Sequence, residues 1–330
     1  MDGTVKPFSQ IPVSTRTAIV VTNLFIDLNK LFEYCPIAEF EPVMKRRGRK
    51  KRVNIERPTA KLPFGSVVNV QYECKVRGTL LKPKKQSVEE EEEEQSSGAS
   101  KAYFLHCVTL VIAIDKEENV FGENCLKNIK CYQNGKFQIT GCKTDQQYLD
   151  TMEAIFHLFQ NIKTYTGEEV IQNQSSLTEY TAVFNTVMQN MDFYMGFGIC
   201  RDKLDRIINT NYKDQYCSIY EASVTPSLNI KIPIQVSNET PLLSMTFQKA
   251  TRVCKSAMVP YGEYKSFFAK KNKQREAYHT FLVFATGNII FTSSAANRED
   301  VYNEIISILV QYKEEIKEEN DNNGITKLVK

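Results

Sequence analysis

Residues 129–140 read Ile-Lys-Cys-Tyr-Gln-Asn-Gly-Lys-Phe-Gln-Ile-Thr, and residues 281–292 read Phe-Leu-Val-Phe-Ala-Thr-Gly-Asn-Ile-Ile-Phe-Thr. Tyr132 falls on Phe284, Gly135 on Gly287 and Thr140 on Thr292, each pair 152 positions apart. Both segments have the form of a β-ribbon: a short strand, a glycine turn and a second strand. A helix-period stretch follows each one. An internally repeated strand-turn-strand-helix unit predicts one pseudo-symmetric molecule. The second copy is apolar on both faces. A helix can cover one face, and an apolar face left uncovered is a binding surface.

Bulk composition agrees. At 330 residues the chain has room for about two domains. Its 42% hydrophobic and 25% charged content is that of a globular protein, and its net charge is only +3. Nine cysteines occur without a C-x-x-C pair and histidines number three, so no zinc-finger spacing exists and no metal or other cofactor is expected. The N-terminal residues lack the apolar core of a signal peptide, and no apolar run approaches membrane-spanning length. An intracellular, reduced protein is the expectation.

Along the chain, residues 1–13 read as a flexible arm. The first repeat, 14–163, opens with a β-rich run from Thr17 to Phe25 and a short helix ended by Pro36. It then carries Lys45–Arg52, with seven cations in eight residues, and a loop at 87–100 with six consecutive glutamates. That acidic loop is disordered on composition. Its last helix shows an apolar stripe of Leu149, Met152, Ile155, Phe156, Phe159 and Ile162. A linker at 164–178 leads to the second repeat, 179–317, and a tail at 318–330. The second repeat ends in a helix with Val301, Ile305, Ile308, Leu309, Tyr312 and Ile316 on one face. The fold class expected is α+β: a duplicated, curved antiparallel sheet with long helices on one side.

Register decides which ribbon residues reach the uncovered face. A two-residue Asn-Gly turn groups Tyr132 with Phe137. A three-residue turn with a bulge groups Tyr132 with Gln138 and Thr140, leaving Ile129, Cys131, Phe137, Val283, Ile289 and Phe291 for the core.

These features resemble the TATA-box-binding protein family, and look most like the TATA-binding-like proteins of large nucleocytoplasmic DNA viruses. Phe281-Leu-Val-Phe-Ala-Thr-Gly is similar to the family's Leu-Leu-Ile-Phe-x-Ser-Gly-Lys, and Asn134 to Lys143 to the viral form of the first-repeat motif. Arg47 to Lys51 with Gly65-Ser-Val-Val resembles the viral insertion, and Met188-Gln-Asn-Met191 the Gln-Asn-Ile that opens the family's second repeat. The resemblance implies a saddle with pseudo-two-fold symmetry, the three-residue register, and minor-groove DNA binding with apolar wedges. It places Phe284 as a wedge, with Leu282, Ile290 and Thr292 beside it, and Tyr132 and Thr140 as their first-repeat counterparts. Phe64 matches a second kinking phenylalanine, and Asn190 the central asparagine, with Thr15 or Thr17 at the first-repeat position. Lys130 and Gln138 stand where the family is apolar, and Leu228 where it is aromatic.

Arg47, Arg49 and Lys50 have three readings: phosphate or minor-groove contact, a nuclear import signal, or a solvated loop. The function implied is that of a transcription initiation factor: a monomer on double-stranded DNA that recruits a factor-B-like protein and a multisubunit RNA polymerase, in the host nucleus or a cytoplasmic viral factory. The alternative is a saddle-shaped interaction scaffold of a viral transcription complex with little DNA binding of its own, which Lys130 and Gln138 keep open. An enzyme is not expected: there is no Walker loop, G-x-S-x-G or H-E-x-x-H.

Overall fold

The computed structural model describes residues 5–39, 61–79, 106–116, 125–268, 277–295 and 297–318. In chain order the strands are β1 (Val13–Thr22), β2 (Val67–Tyr72), β3 (Lys75–Gly78), β4 (Cys107–Ala113), β5 (Leu126–Tyr132), β6 (Lys136–Cys142), β7 (Glu179–Tyr194), β8 (Cys217–Ile219), β9 (Ser227–Pro233), β10 (Pro241–Gln248), β11 (Val253–Pro260), β12 (Tyr278–Phe284) and β13 (Asn288–Thr292). The helices are α1 (Leu28–Tyr34), α2 (Asp145–Thr166), α3 (Arg201–Asn211), α4 (Tyr261–Phe268), α5 (Arg298–Gln311) and α6 (Lys313–Ile316). The fold is α+β, and its strands pair antiparallel.

Two compact units divide the chain, and their borders cut across the expected repeats. The first unit is Thr17–Asn185 with Pro241–Val259. Its strands run in the order β3-β2-β4-β5-β6-β1, and β10 pairs with the start of β7 and with β11. Helix α2 is the backbone of its core. Thr144 caps the N-terminus by accepting from the Gln147 amide, and Gly167 closes the other end in the left-handed region at φ 76°. The apolar stripe between those caps is buried at Met152, Ile155, Phe156, Phe159 and Ile162. Phe156 packs on Tyr180 and Phe247 at 5.4 and 5.5 Å between ring centroids. This aromatic contact draws the β10–β11 hairpin, expected in the second repeat, into the first unit's core. Residues 164–178, expected as a linker, are also packed. Val170 and Ile171 are buried there, and Ile171 bridges to Ile26.

The second unit is Met1–Arg16, Thr186–Thr240 and Pro260–Lys330, with strand order β7-β13-β12-β9-β8. Its core gathers Val301, Ile305, Ile308 and Leu309 of α5 and Leu204 and Ile208 of α3. These lie against Phe193, Phe281, Val283 and Phe291, and the Phe281 and Phe291 rings stack at 4.2 Å between centroids. The final helix is broken at Tyr312, yet Ile316 beyond the break is fully buried. Residues 5–13, expected as a flexible arm, are docked here. The Tyr302 hydroxyl donates to the Lys6 carbonyl at 2.6 Å, Phe8 packs on the Tyr302 ring, and Ile11 is buried.

The duplication is visible bond for bond. In the first unit the Thr22 amide donates to the Gly135 carbonyl, Ile26 to Gln133, Asp27 to Val170 and Gln172 to Phe25. In the second, Met195 donates to Gly287, Ile199 to Ala285, Cys200 to Ile316 and Glu318 to Gly198. Thr22 and Met195 are 173 positions apart, as are Ile26 and Ile199, while Gly135 and Gly287 keep the ribbon offset of 152. The same two offsets set Thr17 where Asn190 stands and Thr140 where Thr292 stands.

Candidate nucleic-acid interface

Each ribbon turns through three residues, 133–135 and 285–287, and each turn ends on a glycine with positive φ, 70° at Gly135 and 82° at Gly287. Both glycines are also forced by space. A Cβ on Gly135 would sit 2.1 Å from the Leu24 carbonyl oxygen, and one on Gly287 1.8 Å from that of Phe197. The extra turn residue sets the register. Ile129, Cys131, Phe137, Val283, Ile289 and Phe291 therefore point into the two cores. The alternating residues, Leu282, Phe284 and Ile290 among them, are left for the opposite face and are absent from the second unit's core cluster.

In the second unit that face is ordered in cross-strand rows. Asn190 pairs with Thr292, Thr292 with Thr280, and Thr280 with Lys231. The next row is Asp192, Ile290, Leu282 and Asn229. A third holds Tyr194 opposite Asn288, and Phe284 opposite Ser227. Leu282, Phe284 and Ile290 are half-buried and form an apolar centre. At one end the Thr292 hydroxyl donates to Asn190 Oδ1 at 2.9 Å. A recess of about 740 Å³ reaches the strand ends from both sides, lined by Asp192, Phe284 and Ile290 and by the core-side Ile11, Phe193 and Ile289.

The corresponding face of the first unit is polar. Lys130 pairs directly with Gln138 and with Thr109, which pairs with Gln71. Thr140 pairs with Asn128. Tyr132 pairs with Cys107 and hydrogen-bonds to it, and burial together with that thiol pushes the phenol above its ordinary range. Several groups here are occupied within the protein: Gln71 donates to Asn69 Oδ1 at 2.9 Å, and Asn69 itself is buried.

The sequence-derived residues thus fall into two sets, one in each unit. Asn190, Leu282, Phe284, Ile290 and Thr292 come together in the second unit; Lys130, Tyr132, Gln138 and Thr140 do so in the first. Thr17 lies on β1 and is buried. Phe64 is not part of either face. It packs against the first unit's core, under the Lys116 ammonium at 5.1 Å, and Lys116 pairs with Asp150 and Glu153 of α2. The physical reason is that Gly65, hydrogen-bonded to the Ala113 carbonyl, holds this turn beside Ala154 of α2. Arg47, Arg49 and Lys50 lie outside the described residues.

Asp192, Tyr194, Asn229 and Lys231 join the second unit's face without having been singled out from sequence. The signal was present: Asn190, Asp192 and Tyr194 alternate with apolar Met191, Phe193 and Met195, the period of a half-buried strand.

No protein-family model matches this chain, and no curated protein matches it. Among solved structures it is similar to Methanococcus jannaschii TBP, at 12% sequence identity and a TM-score of 0.39, over 92% of this chain and 98% of that one. Nothing about this chain's chemistry follows from a likeness at that level.

Proposed function

We propose that this protein binds duplex DNA in the minor groove through the sheet faces opposite its cores and acts as a transcription initiation factor. The observation that carries the reading is the face of the second unit. An apolar centre outside the core cluster, Leu282, Phe284 and Ile290, is flanked in the cross-strand rows by Asn190 and Lys231. Apolar side chains of this kind open a base step and widen the groove, and amide donors meet the acceptors that adenine and thymine present there. The sequence motifs quoted above support the same reading. They extend it to bent promoter DNA and to recruitment of a factor-B-like protein and a multisubunit polymerase.

Asp192 favours a second reading, in which the face is a protein-interaction surface. It is exposed, and it stands directly opposite Ile290, where a carboxylate opposes approach of a polyanion.

Competition separates the two. A labelled random duplex pool is mixed with the protein, and a minor-groove-binding drug is added. Displacement by the drug, with affinity that falls as salt rises, is the expected result. Displacement by major-groove methylation alone, or no duplex retained at low salt, overturns the proposal.

A further inference from the structure

The second unit's face carries one feature that a reader of A·T pairs would not need. Its central row runs Asp192, Ile290, Leu282, Asn229, so a carboxylate stands cross-strand from the apolar centre. Asp192 is exposed, and no hydrogen bond or ion pair engages it among the described residues. At the position 173 residues earlier, which the repeated backbone hydrogen bonds equate with it, the first unit has Ile19. The carboxylate therefore belongs to one half of the molecule only.

An ionised carboxylate only accepts hydrogen bonds. The floor of the minor groove at an A·T pair also offers only acceptors, adenine N3 and thymine O2, while a G·C pair adds the guanine N2 amine as a donor. Narrow A-tract grooves have enhanced negative potential besides. Placed in the groove, Asp192 is repelled by A·T on both counts and satisfied by guanine. Asn190, two residues earlier on the same face, has an amide that suits an A·T neighbour. Resting on the DNA-binding reading above, we infer that Asp192 is a specificity-determining residue that selects a guanine, through its N2 amine, at the base step beneath Ile290 and Leu282. Because the first unit lacks the carboxylate, the same contact breaks the two-fold ambiguity of a duplicated reader. It fixes which unit faces which end of the site.

The test uses the full chain. Duplexes retained from a random pool are sequenced, and every guanine in the bound site is replaced singly by inosine, which lacks only the N2 amine. Affinities are read by fluorescence anisotropy for wild type and Asp192→Asn. One guanine is expected whose replacement by inosine weakens wild type roughly ten- to a hundred-fold, the usual cost of a mismatched pair. Asp192→Asn, a change at an exposed position, is expected to bind guanine and inosine duplexes alike and to accept A·T there. Retained sites made only of A·T pairs, or inosine effects that persist in Asp192→Asn, overturn this inference and leave DNA binding standing. Failure to retain any duplex refutes the DNA reading and the inference together.

Discussion

Thr292 donates its hydroxyl proton to Oδ1 of Asn190 at 2.9 Å, across a directly paired position of β13 and β7. The bond holds the amide by its oxygen and leaves that oxygen satisfied within the protein. Thr292→Val keeps the shape and removes the donor. Both side chains are half-buried, so the stability cost is small, about 1 kcal/mol. Duplex affinity is expected to fall further, by roughly ten-fold, because the amide loses its fixed orientation. Chemical denaturation and anisotropy titration on the same preparation check this. Equal losses in both would show that the pair serves only the fold.

The ribbon glycines are expected to tolerate substitution poorly. Gly287→Ala and Gly135→Ala each combine positive φ with a Cβ under 3 Å from a carbonyl oxygen, and each should cost at least about 3 kcal/mol. Gly141 also has positive φ, 87°, but nothing lies within 4 Å of its Cβ position. Gly141→Ala should cost only the conformational strain, about 1–2 kcal/mol. Urea unfolding of the three variants gives the ranking, and a Gly141 variant as damaged as the other two would contradict it.

His279 makes stability depend on pH. Its ring is buried, with Nδ1 2.8 Å from the Ser293 hydroxyl, and burial holds its pKa below the ordinary 6.5 against an opposing bond from Asn297. His157 is shifted in the same direction, also chiefly by burial. The native state therefore resists a proton that the unfolded chain accepts near pH 6.5. The stabilisation is complete above that pH and is lost as pH falls below it toward the native pKa, at up to about 1.4 kcal/mol per pH unit per group. His279→Gln should flatten the change in unfolding free energy between pH 7.5 and 5.5. A variant with the wild-type slope would assign the dependence elsewhere.

The two faces should contribute differently to DNA. Leu282, Phe284 and Ile290 suit wedging, while Lys130, Tyr132 and Gln138 suit phosphate, sugar and base-edge contacts. Phe284→Ala is expected to reduce bending and affinity together, since opening a base step needs an apolar group to offset its cost. Lys130→Ala should mainly lower the log–log salt slope, by about 0.9. Energy transfer between dyes at the duplex ends, with a salt titration, reads both. Wild-type bending by Phe284→Ala, or loss of the bend in Tyr132→Ala, would reverse the roles.

Much of this arrangement was legible in sequence because it is local. The ribbon offset, the Gly turns and the stripe on α2 follow from short-range pattern, while the register that buries Phe137 and Phe291 follows only from the family resemblance. Two kinds of feature were not. The unit borders depend on long-range packing: Phe247 joins Tyr180 and Phe156 across a wide sequence separation, so the β10–β11 hairpin changes sides. The docking of residues 5–13 depends on Tyr302 reaching the Lys6 carbonyl, which no motif near the N-terminus announces. Asp192 and Tyr194 were missed for another reason. The Met188-Gln-Asn-Met191 motif ends before them and gives a facing only at Asn190. Phe64 was placed by motif likeness, whereas its position is set by Gly65 and the α2 surface.

The most direct measurement is hydroxyl-radical footprinting of the protein, with and without duplex, read by mass spectrometry at single side chains. DNA binding by the second unit's sheet face opposite its core predicts that Leu282, Phe284, Ile290 and the 54%-exposed Tyr194 lose reactivity several-fold when duplex is added. Val310 on α5, 52% exposed, should react as before. Protection of Val310 with unchanged reactivity at Phe284 and Ile290 would contradict the account.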